Sequence, residues 1–239
     1  MIDLWAVIAM AALTAVMVAL LGIGVAKIAR RAGDEASASR SGILVIMALQ
    51  GWLLTTAALA FTGTLSEWAA RPPRLPLLTL AALLAIVFLN FTAPLKKWIA
   101  STPLHWPIAA QTFRVAVELV LFAFFMDGHV PLQLTFEGRN LDILVGLTAP
   151  VMAWFVARKI AKPIAVFVWN VAGLAILLNT IVIAQSSVPG PMNHGWPGAP
   201  FTAIAGWPLV WLPTFLAPLA IFLHVVSLRQ SVRLLRRGK

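Results

Sequence analysis

Long uncharged apolar runs constrain this chain more than any other feature of its sequence. Residues 4–26 and 42–63 contain no Asp, Glu, Lys or Arg. A helix rises about 1.5 Å per residue, so about 20 apolar residues cross the roughly 30 Å of bilayer hydrocarbon. Of the 239 residues, 61% are hydrophobic and 11% are charged, whereas soluble domains have about 45–50% apolar and about 25% charged residues. The composition therefore predicts an integral membrane protein without a soluble domain.

Seven such runs predict an all-α bundle of seven transmembrane helices, at residues 4–26, 42–63, 75–93, 107–126, 141–157, 163–185 and 207–228. Backbone groups in lipid must be satisfied internally, and the alternating pattern of barrel strands does not occur in these runs. The first run is longer than a signal-peptide core and follows an acidic start, so we expect a retained helix. Residues 186–206 are rich in Pro and Gly, which predicts an irregular lid or re-entrant coil on the outer face.

The distribution of the charges that give the chain its net charge of +10 predicts the orientation of these helices. Fourteen of the 18 Lys and Arg residues lie in segments 27–40, 96–97, 158–162 and 229–239, whereas five of the 8 acidic residues lie on the opposite side. Lys and Arg are concentrated in cytoplasmic loops. The pattern predicts the N-terminus outside and the C-terminus in the cytoplasm, in a bacterial inner membrane. The predicted surroundings are the lipid bilayer, nucleic acid is not a predicted partner, and oligomerisation stays open.

Two charged residues lie inside the fourth predicted span. An ionisable side chain at a helix centre costs at least about 2.5–3.5 kcal/mol and usually marks function. At about 100° per residue, Gln111, Arg114 and Glu118 share one stripe of the helix. Arg114 and Glu118 are four residues apart, so the sequence predicts that they can pair on the helix itself.

Polar side chains in other spans fall at similar depth. Counting about 1.5 Å per residue from the cytoplasmic ends places them in the cytoplasmic half of the membrane, with Glu118 near its middle. We expect a hydrated, cytoplasm-facing pocket that binds a small polar or anionic ligand, a lipid headgroup or a proton. The alternative is a polar network that only packs helices together. The candidate residues are Arg114, Glu118, Gln111, Asn170, Gln50, Asn90 and His224.

The segment before the fifth predicted span is unusually polar for this chain. It contains Glu137, Arg139, Asn140 and Asp142. One interpretation is an outer gate or ligand contact. The other is a self-satisfied turn, in which Asn140 or Asp142 caps the fifth helix and Arg139 pairs with Glu137 or Asp142.

The sequence lacks the usual signatures of catalysis and metal binding. It contains no Cys and no Tyr, and its four His residues are scattered over both sides of the membrane. Zinc-protease, serine-hydrolase and nucleotide-binding motifs are absent. We therefore predict no metal, no cofactor and no catalytic residue, and an enzyme is disfavoured. A retinal protein needs a lysine in its last helix, and the seventh predicted span has none.

Several short stretches together resemble a known family. They are Arg114 with Glu118, the run 135–144, the pair Trp169 and Asn170, and the stretch 211–218 with His224. They look like a bacterial multi-pass membrane protein family of uncharacterised function, over roughly the second half of the chain. The resemblance implies a bacterial inner-membrane protein and no particular activity.

The leading hypothesis is transport of the ligand bound in the predicted pocket. In this hypothesis Arg114 holds an anionic group or the charge of Glu118, and Glu118 is the protonatable coupling site. One rival is a structural or accessory subunit, or a membrane sensor, in which Arg114 and Glu118 form a packing ion pair. The other rival is an intramembrane enzyme that acts on a lipid with Glu118 as its base.

Overall fold

The computed structural model describes residues 4–237, and regular secondary structure in this range is entirely helical. Asp3 and Lys239, which contribute to the charge pattern, lie outside the described residues. The helices are α1 (Leu4–Arg31), α2 (Glu35–Phe61), α3 (Arg74–Phe91), α4 (Ala93–Ser101), α5 (His105–Ala110), α6 (Phe113–Met126), α7 (Asp142–Ala157), α8 (Pro163–Ser187) and α9 (Ala217–Arg237).

Six segments within the described range are long and apolar enough to cross a membrane. They are Leu4–Arg31, Glu35–Phe61, Arg74–Phe91, His105–Met126, Pro163–Ser187 and Leu212–Arg236. Helix α7 is also apolar but has only 16 residues. Large apolar side chains such as Leu54 and Phe88 are exposed, as on surfaces that face lipid. The predicted all-helical class is confirmed for the described residues. By length and composition six helical segments are candidate spans, and a seventh depends on α7.

The first predicted loop is much shorter than the sequence suggested. Helix α1 continues to Arg31 and α2 begins at Glu35, because the Ala, Lys and Arg residues that follow the apolar run are themselves good helix formers. The chain reverses at Gly33, whose φ of 84° is readily adopted only by glycine. The two helices approach closely, since a Cβ on Gly42 would lie 2.6 Å from the carbonyl oxygen of Gly22.

Three predicted spans are interrupted or shifted. The third ends at Phe91, and after extended Thr92 the chain starts the separate helix α4. The fourth is divided into α5 and α6 at residues 111–112. The last begins with a π-helical turn over Leu212–Leu216, where Pro213 cannot donate a regular backbone hydrogen bond. Residues 186–206 contain only a short 3₁₀ turn after α8, as their Pro and Gly content predicted.

The connection between α6 and α7 dips back into the bundle. Leu134 and Asn140 in this connection are buried. Helix α7 then starts beside the middle of α6, because a Cβ on Gly146 would lie 2.7 Å from the backbone nitrogen of Val115. Helix α6 itself runs on to Met126, about 12 Å beyond the level of residue 118. We refer to residues 127–141 as the re-entrant segment, and it brings polar side chains to the interior.

Candidate functional site

Arg114 forms a buried ion pair with Asp142. Its Nε donates to Oδ2 of Asp142 at 2.7 Å, and its second terminal nitrogen donates to Oδ1. The two residues are only 1% and 6% exposed. The predicted pairing of Arg114 with Glu118 is therefore wrong. The guanidinium extends from α6 to the first turn of α7, where one carboxylate satisfies it in the favoured two-bond geometry.

Glu118 contacts an amide instead of a cation. Both of its carboxylate oxygens lie 2.8 Å from Nδ2 of Asn140, which also donates to the carbonyl oxygen of Leu134 at 3.0 Å. The Oδ1 of Asn140 accepts from the backbone N–H of Asp142 at 3.0 Å and from the hydroxyl of Thr180 at 2.7 Å. Asn140 thus lies one residue before the N-cap Leu141, binds the first backbone N–H of α7, and joins α6, α7 and α8 at one point.

A second chain of hydrogen bonds runs from Arg114 to the opposite side of the bundle. One terminal nitrogen of Arg114 lies 3.0 Å from Nε2 of His224, and Nδ1 of His224 lies 2.8 Å from Oδ1 of Asn170. Because arginine can only donate, Nε2 accepts and Nδ1 carries the proton of a neutral imidazole. Asn170 donates in turn to the hydroxyl of Ser227 at 2.9 Å. Gly173 makes room for the ring, since a Cβ there would lie 2.5 Å from Cε1 of His224.

The remaining predicted members of the pocket lie elsewhere. Gln50 is exposed on α2. Asn90 accepts a hydrogen bond from Arg229 at 2.7 Å, close to the end of α9. Gln111 is buried and donates to the carbonyl oxygen of Ala220 at 3.0 Å. Equal depth along a helix axis did not imply a shared location, because depth says nothing about which neighbour a side chain faces.

The predicted outer gate separates into two parts. Asn140 and Asp142 are buried in the interior cluster, whereas Glu137 and Arg139 are exposed. The predicted ion pair of Arg139 is wrong, because Asp142 is held by Arg114 and the described residues show no ion pair with Glu137. The guanidinium of Arg139 instead lies 5.0 Å from the ring centre of Trp196.

A cavity of about 1000 Å³ lies among the helices. Its inner end, which we call the floor, is lined by the charged cluster, namely Arg114, Glu118 and Asp142. Its walls are mostly apolar and come from α3, α6, α8 and α9, with Leu80, Leu121, Leu177, Ile181 and Leu216 among the lining residues. Near the surface the lining includes the exposed ion pair of Glu67 and Arg74. The cavity is therefore an apolar pocket with a polar end.

The cavity opens at the end of the bundle that carries few Lys and Arg residues. Its loop residues belong to segments 65–74 and 188–192, which the charge pattern predicts to be on the outer face. With the predicted orientation, this cavity would open outward, whereas the predicted pocket faces the cytoplasm. On the other side the bundle is closed by packing and by the hydrogen bonds of His224, with Ile108 and Val166 fully buried there.

The re-entrant segment and the irregular chain after α8 are both attached to the end of α8. Nε2 of Gln133 donates to the hydroxyl of Ser187 at 3.0 Å, in the last turn of α8. The indole N–H of Trp196 donates to the hydroxyl of Ser186 at 2.9 Å. The contact of Arg139 with the ring of Trp196 joins the two segments directly.

Several contacts in this site could not be predicted from the sequence. Thr180 and Ser227 are single hydroxyl residues in apolar helices, where such residues commonly bond to their own backbone. Asp142 was visible as a charge, but its place at the start of a predicted span suggested a surface cap. Within the described residues, no group of three His, Asp or Glu side chains could hold a metal ion.

Residues 72–232 match the model of the family described as Domain of unknown function (DUF8737). The chain belongs to this family. The match extends from α3 into α9 and includes every residue of the charged cluster. The predicted membership of an uncharacterised family is confirmed, and it covers more than the predicted second half of the chain. No curated protein matches the chain, and no solved structure matches it.

Proposed function

We propose that the chain is a membrane transport protein that binds an amphipathic small molecule in the cavity and couples its movement to protonation of Glu118. The observation that carries this proposal is the meeting of an apolar cavity of about 1000 Å³ with the buried charges of Arg114, Asp142 and Glu118. Ligand sites are typically apolar clefts with a few convergent polar groups. The walls favour a ligand with an apolar body, and the floor favours a polar end.

The charges of the floor disfavour a simple anion at this place. The positive charge of Arg114 is already neutralised by Asp142 through two hydrogen bonds. Glu118 adds an acid that, among the described residues, has no ion pair. An isolated ionised carboxylate is costly in an apolar interior. The floor therefore favours a protonated Glu118, or a neutral or cationic ligand group. It disfavours the anionic ligand group predicted from the sequence.

Cavity occupancy is testable without knowing the ligand. Ala184 lines the cavity on α8, whereas Val182 on the same helix is 57% exposed and outside it. The wild type, Ala184→Trp and Val182→Trp would be purified in nanodiscs, and their bound small molecules extracted and compared by mass spectrometry. We expect a molecule that is retained by the wild type and Val182→Trp but lost from Ala184→Trp. The same extract from all three proteins would refute ligand binding in the cavity.

Coupling is tested with the molecule identified in that way. In proteoliposomes that contain a pH-sensitive dye, Glu118→Gln is expected to abolish ligand-driven proton movement. Glu137→Gln, the same change at an exposed position, is expected to leave it intact. Unchanged proton movement in Glu118→Gln across a pH series would overturn the coupling role.

We also propose that α7 completes a seventh crossing, with the N-terminus outside and the C-terminus in the cytoplasm of a bacterial inner membrane. A helix of 16 residues is about 24 Å long, and the re-entrant segment accounts for the remaining depth. The distribution of Lys and Arg supports the orientation. Because the chain has no Cys, single cysteines report topology cleanly. An impermeant maleimide is expected to label Ala199→Cys in intact cells and not Ala36→Cys, and the reverse labelling would refute the orientation.

A packing role is the second candidate, because the pair of Arg114 and Asp142 joins two helices directly. In that case an apolar pair at these positions would leave a cellular phenotype of the gene unaltered while keeping the fold. Loss of the phenotype in a stably folded Arg114→Leu/Asp142→Leu protein would exclude it. An accessory or sensory subunit and a lipid-acting enzyme with Glu118 as base stay as alternatives.

A further inference from the structure

A second concave site lies at the opposite end of the bundle, between α4 and the last turns of α9. It encloses about 440 Å³. Four cationic side chains line it, namely Lys96, Arg229, Arg233 and Arg236, and no acidic residue does. The remaining wall includes the apolar side chains of Ile99, Leu228 and Val232. We call this site the basic groove.

The cationic side chains of the basic groove lie on two facing helices. Arg229, Arg233 and Arg236 follow one another at intervals of four and three residues, so they share one face of α9. Like charges at this spacing repel one another on a helix. Lys96 adds a further positive charge from α4 on the facing side. An anion in the groove would relieve this repulsion.

Hydrogen bonds between its walls fix the shape of the groove. The side-chain amide of Gln230 donates to the carbonyl oxygens of Ile99 at 2.8 Å and Thr102 at 2.6 Å. Arg229 donates to the side-chain oxygen of Asn90 at 2.7 Å. Helix α9 is therefore fastened to the C-terminal end of α4 and to the last turn of α3. The exposed guanidiniums of Arg233 and Arg236 have no partner among the described residues and are free to bind a ligand.

We propose that the basic groove binds an anionic phospholipid, with the headgroup phosphate among the four cations and an acyl chain against Ile99, Leu228 and Val232. Guanidinium groups match the geometry of phosphate oxygens. Basic pockets at the cytoplasmic ends of membrane helices suit anionic headgroups. The apolar part of the wall favours a lipid over a soluble phosphate ion. This site is independent of the cavity and of its ligand.

The proposal is tested by titrating the purified full chain, in neutral detergent, with phosphatidylglycerol and phosphatidylcholine, and counting bound lipids by native mass spectrometry. The informative variant is Arg233→Gln/Arg236→Gln, because both side chains are exposed and form no hydrogen bond or ion pair among the described residues. We expect wild-type preference for phosphatidylglycerol, and about fivefold weaker binding for each arginine removed. Lys27→Gln/Arg40→Gln is the matched control, since both residues are exposed and outside the groove.

Each outcome decides the proposal. Loss of the preference in the groove variant, with the control unchanged, supports it. Equal weakening in the two double variants would overturn it, because the effect would then follow overall charge and not the groove. Inorganic phosphate is the final arm. If it binds with the same dependence on the arginines and fully displaces the lipid at millimolar concentration, the groove recognises a soluble anion and the lipid assignment is wrong.

Discussion

Replacing Asp142 with asparagine is expected to lower the free energy of unfolding by about 3–5 kcal/mol. Arg114 is 1% exposed and has three hydrogen-bond contacts, two of them to Asp142 and one to His224. The change removes the negative charge and leaves the guanidinium buried without a counter-ion. Asparagine keeps one acceptor oxygen but turns an amide donor toward the guanidinium, so one hydrogen bond worth about 1.5–3 kcal/mol is lost in addition to the counter-ion.

A double-mutant cycle separates the pair from its surroundings. Arg114→Leu and Asp142→Leu are each expected to cost about 3–5 kcal/mol. The double variant leaves no unpaired charge, so it is expected to lie only about 1–3 kcal/mol below the wild type. Two effects account for this remaining loss. Nε2 of His224 loses its hydrogen-bond donor, and removal of the acid from the first turn of α7 costs about 0.3–1 kcal/mol. The summed losses in unfolding free energy of the two single variants should therefore exceed the loss in the double variant by at least about 3 kcal/mol.

The assay is unfolding by an anionic detergent in mixed micelles, followed by the fluorescence of the chain's 10 Trp residues. The matched cycle pairs Arg114→Leu with Glu118→Leu, for which a coupling below about 1 kcal/mol is expected, because Glu118 contacts Asn140 instead. Additive costs for Arg114 and Asp142, or a larger coupling for Glu118, would refute the assignment of the ion pair.

Three glycine substitutions give further tests by thermal unfolding in detergent. Gly173→Ala is expected to cost about 1–3 kcal/mol, because its Cβ would lie 2.9 Å from Nε2 of His224. Gly138→Ala is expected to cost at least as much, since its Cβ would overlap the carbonyl oxygen of Leu132, which is backbone and cannot swing aside. Gly24→Ala is the control, and with open space around it should stabilise α1 by about 0.5–1 kcal/mol. Equal effects at the three sites would contradict this account.

The apolar runs were sufficient to predict the helices that cross the bundle. Residues 4–26 and 163–185 correspond to α1 and α8 because their length and lack of charge admit no other stable structure in lipid. The ends were less predictable. Helix α4 follows α3 after a single extended residue, Thr92, and nothing in the hydropathy of residues 75–93 separates a spanning helix from the short one after it.

The site was predictable only as a set of unusual residues. Arg114 and Glu118 were identified because charge inside a span is costly, and both are in the cluster. Their partners were not predictable, because Asp142 is 28 positions away from Arg114 and helical periodicity relates only residues within one helix. The re-entrant segment places Asp142 beside Arg114, and its path depends on packing of the whole bundle.

The re-entrant segment gives the molecule a direct mechanical link between its surface and its interior. Gln133 donates to Ser187 at the end of α8, Arg139 lies against the ring of Trp196 in the chain beyond it, and Asn140, the next residue, donates to Glu118. Adjacent residues of one segment therefore contact the surface chain and the buried acid. If displacement of that surface chain changes the proton affinity of Glu118, protonation of Glu118 must change the stability of the surface chain by the same free energy.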